Sequence, residues 1–372
     1  MKYDAITLDT NILRKNGYNL ESGLLGQLTQ FKEGSVQLVL SEIVYRETSK
    51  HLRENAREDW SKLEQSIKKS EKSFLLSPES TEAMNKILAA QGKPEEAVEK
   101  RLKEFIQATG AIIVDAKNAN MNELIKLYFK PAAPFEDNEK KKNEFPDAIA
   151  LISLESWARR NNKKLLAVSE DKGWEGYAAS SDHIDVEKDL SQALQSLQEH
   201  VERAKKIVLN LLNDLCNDET PDLLGEIDQR IEQEVESLQP EAEADSHVSY
   251  EVDQVDISYN DFEFIHHEDH YDFTIVRIGA NKIVAKIPIL IRVKAEASFS
   301  FYVYDSIDKD NVSMGGNSKE VDAELEMSAL FSFEGDFEST PMDITVSEVS
   351  LLQTRPIIDF GDVDFSDDWY EE

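Results

Sequence analysis

The stretch Ile6-Thr7-Leu8-Asp9-Thr10-Asn11 is an apolar run that stops abruptly at an acid. A short β-rich run bounded by turn-forming residues marks a buried strand. Thr10 and Asn11 follow as residues able to hold the Asp9 carboxylate by hydrogen bonds and to turn the chain. If that strand is central in an open α/β sheet, Asp9 sits at its carboxyl edge, where such sheets bind ligands.

Working outward, residues 36–40 (VQLVL) form a second β-rich run, closed by Ser41 as a helix N-cap, so Glu42 falls in the first turn of the next helix. Residues 111–114 (AIIV) supply a third strand and 163–168 (KKLLAV) a fourth, with Ser169, Glu170 and Asp171 as its exit turn. Residues 183–186 make a fifth, at the sheet edge. Helical periodicity covers residues 20–31 and 120–129, and Pro146 opens a further helix at Asp147, since proline is favoured in a first turn. Strands alternating with helices predict a doubly wound parallel sheet of the α/β class, closing near residue 197. Residues 43–108 interrupt this pattern as a lysine-bearing helical insertion with one break, at Gly92 and Pro94.

Asp9, Glu42, Asp147 and Asp171 each have a bland explanation as a turn former, a cap or a first-turn acid. Their shared location argues for more. In a parallel sheet the strands end, and the crossover helices begin, on one edge, so all four open onto one crevice. Carboxylates gathered there raise one another's pKa values unless cations neutralise them. Oxygen-only ligation of this kind suits Mg²⁺ or Mn²⁺.

Taken in order, these stretches resemble the PIN-domain nuclease family: an apolar strand ending at Asp9-Thr10-Asn11, a glutamate after strand two (Glu42), an aspartate opening a helix (Asp147), and Ser169 with Asp171 after strand four. The resemblance covers residues 1–197. It implies that Asp9, Asp147 and Asp171 coordinate metal, with Glu42 as a further ligand or water-orienting group. Thr10, Asn11 and Ser169 would support them. The implied reaction is metal-dependent phosphodiester hydrolysis, with single-stranded RNA ahead of DNA as substrate. A DNA or structure-specific nuclease of defence or repair, and a catalytically silent scaffold, are the alternatives. Glu47, five residues beyond Glu42, and Glu170, adjoining Asp171, could each substitute for a ligand but read as solvated. Lys140, Lys141 and Lys142 precede the Asp147 helix and are either phosphate contacts at the crevice rim or a solubilising loop. The long insertion sets the chain apart from small toxin-type relatives.

The remainder differs in composition. Of the formal net charge of −33, residues 241–372 carry −23, from 31 acidic and 8 basic side chains. Helical periodicity over 199–216 and 223–238 predicts a connector at 198–240, followed by the polar linker PEAEADS. From 246 onward the period becomes two, as in AELEMSALFSFE, with GANK and SMGGNS as turn signals. This predicts an all-β, antiparallel, sandwich-like domain over 246–372. Its acidity repels nucleic acid and suits a basic protein partner, self-association, or mimicry of nucleic acid toward the chain's own basic groove. The tail DFGDVDFSDDWYEE, carrying Phe360, Phe365, Trp369 and Tyr370, is a solvating segment or a docking one. His266, His267 and His270 match no standard zinc spacing. One cysteine, Cys216, excludes an internal disulfide. The first residues lack the apolar core of a secretory signal, and no run approaches the ~18 apolar residues of a membrane span. A soluble, cytoplasmic protein is expected.

Overall fold

Ala5, Ile6, Thr7 and Leu8 are all buried, as a strand covered on both faces requires. The computed structural model describes residues 2–73, 75–90, 92–130, 132–135, 144–217, 220–267, 270–305, 309–337 and 343–364. The Lys140 to Lys142 run lies outside these residues. The chain divides into two units, Met1–Leu197 and Gln198–Glu372.

The first unit runs β1 (Ala5–Leu8), α1 (Thr10–Lys15), α2 (Gly23–Gly26), β2 (Gln37–Ser41), α3 (Glu42–Lys72), α4 (Pro78–Ala90), α5 (Pro94–Thr109), β3 (Ile112–Val114), α6 (Met121–Phe129), α7 (Phe145–Asn161), β4 (Leu165–Val168), α8 (Lys172–Ala178), β5 (Ile184–Glu187) and α9 (Leu190–Ser196). Its sheet has the order β3-β2-β1-β4-β5 with every pair parallel. The chain moves outward in one direction from β1 and returns to build the other side from β4. The gap between β1 and β4 is therefore the topological switch point, where ligands of such sheets bind.

Helix α7 shows no amphipathic stripe in sequence because it is enclosed nearly all round. Ala148, Leu151, Ile152, Leu154 and Ala158 are at most 1% exposed. The insertion has two breaks and not one. The second falls between α3 and α4, where Pro78 starts a new helix because its ring cannot continue the old one. Gly110 ends α5 at φ +66°, a left-handed conformation that glycine adopts without strain.

The second unit comprises α10 (Val201–Cys216), α11 (Pro221–Glu236), β6 (Glu241–Asp245), β7 (Ser249–Phe264), β8 (His266–His267), β9 (His270–Tyr271), β10 (Thr274–Ile278), β11 (Lys282–Asp305), β12 (Asp310–Asp336), β13 (Asp343–Leu351) and β14 (Ile357–Asp362). The antiparallel domain is present, with strands β10-β11-β12-β13 in order and β7 also paired to β11. Along β11 the alternate residues Ile283, Ile287, Ile291, Val293, Phe299 and Phe301 are all at most 3% exposed. Each such side chain contributes about 1.5–3 kcal/mol on burial. Between them, on the other face, stand Arg292, bonded to Asp261, Glu263 and Glu324, and Lys294, bonded to Glu320.

Four expectations change here. Helices 198–240 are not a connector: α10 and α11 bury Val208, Leu212, Ile227 and Ile231 in one core with the sheet. They, and not a second full sheet, close the expected sandwich, because amphipathic helices present the apolar stripe that the sheet needs covered. SMGGNS is not a turn but lies inside β12, where a bulge opposite Phe301 and Tyr302 is accommodated by Gly315 at φ +104°. The stretch read as a linker is strand β6, which pairs in parallel with β14 from the supposed tail, so that Phe360 is buried at 1% exposure. The rest of that tail, with Phe365, Trp369 and Tyr370, lies outside the described residues.

Among the described residues no helix is long and apolar enough to cross a membrane. His266 and His267 form a two-residue ladder with His270 and Tyr271.

Candidate functional site

Asp9 follows the last residue of β1 and still belongs to the ladder, its amide donating to the Val168 carbonyl at 3.0 Å. That rung places it beside the exit of β4, where the Ser169 hydroxyl donates to Asp9 Oδ2 at 2.6 Å. The same hydroxyl accepts from the Asp171 amide at 3.0 Å. Asp171 caps α8, its Oδ1 accepting from the amides of Gly173 at 2.6 Å and Trp174 at 3.3 Å. Gly173 is required by this close approach, since a Cβ there would lie 2.8 Å from Asp171 Oδ1. Trp174 is fully buried, and its indole N–H reaches across to Asp147 Oδ1 at 3.1 Å. A continuous set of hydrogen bonds thus ties the ends of β1 and β4 to the first turn of α7.

The electrostatics follow from this placement. Burial pushes Asp9 up to about 6, with repulsion from Asp171 adding to it; the Ser169 hydroxyl and the Thr10 and Asn11 amides pull the other way without forming a full helix cap. Burial pushes Asp147 further, to about 7, opposed by the Trp174 indole and reinforced by Asp9, Asp171 and Glu47. Asp9, Asp147 and Asp171 therefore share one electrostatic environment, as their positions in the chain predict.

Glu42 bonds elsewhere. Its carboxylate accepts from the Ala116 amide at 2.9 Å and from Arg46 at 2.8 Å, and these bonds, the amide first, hold it below the usual range. It ties the start of α3 to the turn after β3. Glu47 of the same helix, which the sequence offers as a substitute ligand and reads as solvated, raises the Asp147 pKa. Five residues turn a helix by about 140°, so the two glutamates face different surroundings. The signal available in sequence was this helical phase, against which nearness to the strand is a poor guide. Thr10 holds Asp9 through its backbone amide, and its hydroxyl donates at 2.7 Å to Glu47. Asn11 Oδ1 is buried with no hydrogen-bond partner among the described residues. Glu170 pairs with Lys15 of α1.

All the converging donors are carboxylate oxygens, and among the described residues no lysine, arginine or histidine forms an ion pair with Asp9, Asp147 or Asp171. Such a set fits a hard dication, which replaces mutual repulsion by attraction. As they stand, no three His, Cys, Asp or Glu side chains among the described residues close tightly enough to hold an ion.

Residues 6–174 match the family model described as PIN domain. The N-terminal unit carries a PIN domain. No curated protein and no solved structure matches the chain. PIN domains are a nuclease-type fold, which supports a hydrolase at the coarse level. The match spans every element that delivers the acids, from β1 to the first turn of α8.

Proposed function

We propose that the PIN unit is a metal-dependent endonuclease acting on single-stranded RNA, with Asp9, Asp147, Asp171 and Glu47 as the acids that hold Mg²⁺ or Mn²⁺. The observation that carries this reading is the pair of carboxylates at the switch point, buried Asp9 and half-buried Asp147, whose pKa values desolvation, with repulsion from neighbouring acids, raises to about 6 and 7. Buried like charges without basic partners are costly in a fold with no cation to receive. The preference for RNA follows the family resemblance.

When bound, such a cation makes a water acidic enough to attack phosphorus and offsets charge on the leaving oxygen. The chain's own part is positional. Ser169 fixes the Asp9 carboxylate, the Gly173 and Trp174 amides fix Asp171, the Trp174 indole fixes Asp147, and the Thr10 hydroxyl fixes Glu47. Each acid is thus held by a separate donor, which lowers the reorganisation needed during reaction.

The test is cleavage of labelled single-stranded RNA and DNA of matched sequence with Mn²⁺, Mg²⁺ or EDTA, using wild type beside Asp9→Asn and Asp147→Asn. Cutting of RNA that needs metal and disappears in both variants supports the proposal. Cutting that survives both variants, or no cutting with any metal, overturns it, and a clear preference for DNA replaces the substrate.

A further inference from the structure

The end of α6 leaves the Phe129 ring 78% exposed, and Met121 and Ile125 of the same helix are exposed as well. Residues four apart lie one above the other on a helix, so these three form a single apolar row. Lys126 and Lys130, both exposed and also four apart, form the next row on the same side, and neither makes an ion pair among the described residues. The other side of α6 faces inward. Leu124 is buried there, and Glu123, the acid of this helix, acts on Tyr177 of α8. Exposed apolar residues scattered singly are common, but a contiguous row points to a ligand.

Ring contacts join this row to the acids. Phe129 meets Tyr128 edge-on, with 5.2 Å between ring centroids, and Tyr128 meets Phe145 at 5.0 Å. Phe135 packs edge-on against both Tyr128 and Phe145, at 5.4 and 5.1 Å. Phe145 opens α7 two residues before Asp147. Pro134, beside Phe135, lies against Gly173, where a Cβ would come within 3.1 Å of it, and the Gly173 amide holds Asp171. The cluster under Phe129 thus packs against the segments that carry two of the acids. Phe135 is buried and Tyr128 and Phe145 are half-buried, so Phe129 is the ring of this cluster that stands open to solvent.

We propose that this face of α6 holds the single strand beside the cleavage site: a base stacks on the Phe129 ring while Lys126 and Lys130 take phosphates. The inference rests on the nuclease reading for its choice of RNA, and its test is separable from that reading because binding is measured without metal. The full chain in EDTA is titrated against a fluorescein-labelled single-stranded RNA of about 16 nucleotides at several salt concentrations, with anisotropy as the readout. Phe129→Ala weakens binding by about fivefold or more and leaves the slope of log affinity against log salt unchanged, since stacking releases no counterions. Phe129→Leu, which keeps apolar area without the ring, binds like Phe129→Ala, whereas Phe129→Trp restores wild-type affinity. The Lys126→Gln, Lys130→Gln double variant lowers the slope by about 1.4, roughly 0.7 for each phosphate contact removed. On an abasic strand of the same length, wild type and Phe129→Ala bind alike. Leu75→Ala, an exposed apolar change on the insertion, leaves affinity and slope as they were.

Wild-type affinity in Phe129→Ala overturns the inference, even if the protein cuts RNA. So does a wild-type chain that binds no single strand. A wild-type dimer that Phe129→Ala dissociates, with RNA affinity unchanged, also overturns it and assigns the row to a second copy. Weakened binding by the Ala and Leu variants with recovery in the Trp variant upholds the site even if no cleavage is ever seen, in which case the nuclease reading alone falls.

Discussion

The Ser169 hydroxyl donates to the Asp9 carboxylate at 2.6 Å across 160 residues of sequence and accepts from the Asp171 amide at 3.0 Å. One small side chain thereby joins the exits of β1 and β4. Ser169→Ala removes a hydrogen bond to a charged group, which costs about 1.5–3 kcal/mol. Because the lost donor favours the ionised carboxylate, the cost is larger at pH 8 than at pH 5, and the acid limb of the pH–rate profile moves to higher pH. Urea unfolding at the two pH values and a kcat/KM profile check both points.

Asp9 at about 6 and Asp147 at about 7 lie above the ordinary carboxylate range, so the native state keeps protons that the unfolded chain has already released. Their contribution to stability is present at about pH 4 and is lost as pH rises through 6 to 7, by roughly 3 kcal/mol from Asp9 alone. In EDTA, unfolding followed across this window shows that decline. Added Mn²⁺ raises the melting temperature more at pH 8 than at pH 5, since the ion competes with protons for the same oxygens.

Asp147→Asn keeps an oxygen for the Trp174 indole and removes the charge that burial penalises. In EDTA at pH 8 this variant melts at or above the wild-type temperature. Its Mn²⁺-induced gain is largely lost. Paired thermal scans with and without the ion measure the opposition between stability and site function.

Glu47 and Glu42 occupy one helix but serve different ends. Glu47→Gln lowers Mn²⁺ affinity at least tenfold, in line with the loss of a ligand or of a group that orients one. Glu42→Gln loosens the contacts to Ala116 and Arg46 and changes Mn²⁺ affinity by less than a factor of three. Calorimetric titration of both variants decides between them.

In the second unit Phe299 is 1% exposed and packs edge-on against Tyr250 and Phe360, joining β7, β11 and β14. Phe299→Ala costs about 3–5 kcal/mol in that core. Ser298→Ala, on the opposite face of the same strand, stays within about 0.5 kcal/mol. Chemical denaturation of the two variants checks the assignment of faces.

The parallel sheet was legible because burial on both faces forces short continuous apolar runs, each with a turn or cap after it: Asp9 after Leu8, Ser41 after Leu40, Asp171 after Val168. The antiparallel unit is legible through alternation, whereas at β6 the same alternation in Glu-Ala-Glu-Ala-Asp is masked by a composition typical of linkers. Glycine misled in the opposite direction at Gly315 and Gly316, where a bulge needs the residue as much as a turn does.

Sequence by itself determined which residues start and stop the strands, and hence that Asp9, Asp147 and Asp171 gather at one sheet edge. Only the tertiary structure decided that Glu47 raises the Asp147 pKa while Glu42 bonds to Ala116 and Arg46, that the Thr10 hydroxyl serves Glu47, and that α10 and α11 belong to the core of the β unit. The physical reason is that strand termini are set by local apolar pattern and turn chemistry, whereas the direction of a helical side chain depends on the rotation of its helix, which is fixed by whatever packs against the apolar stripe.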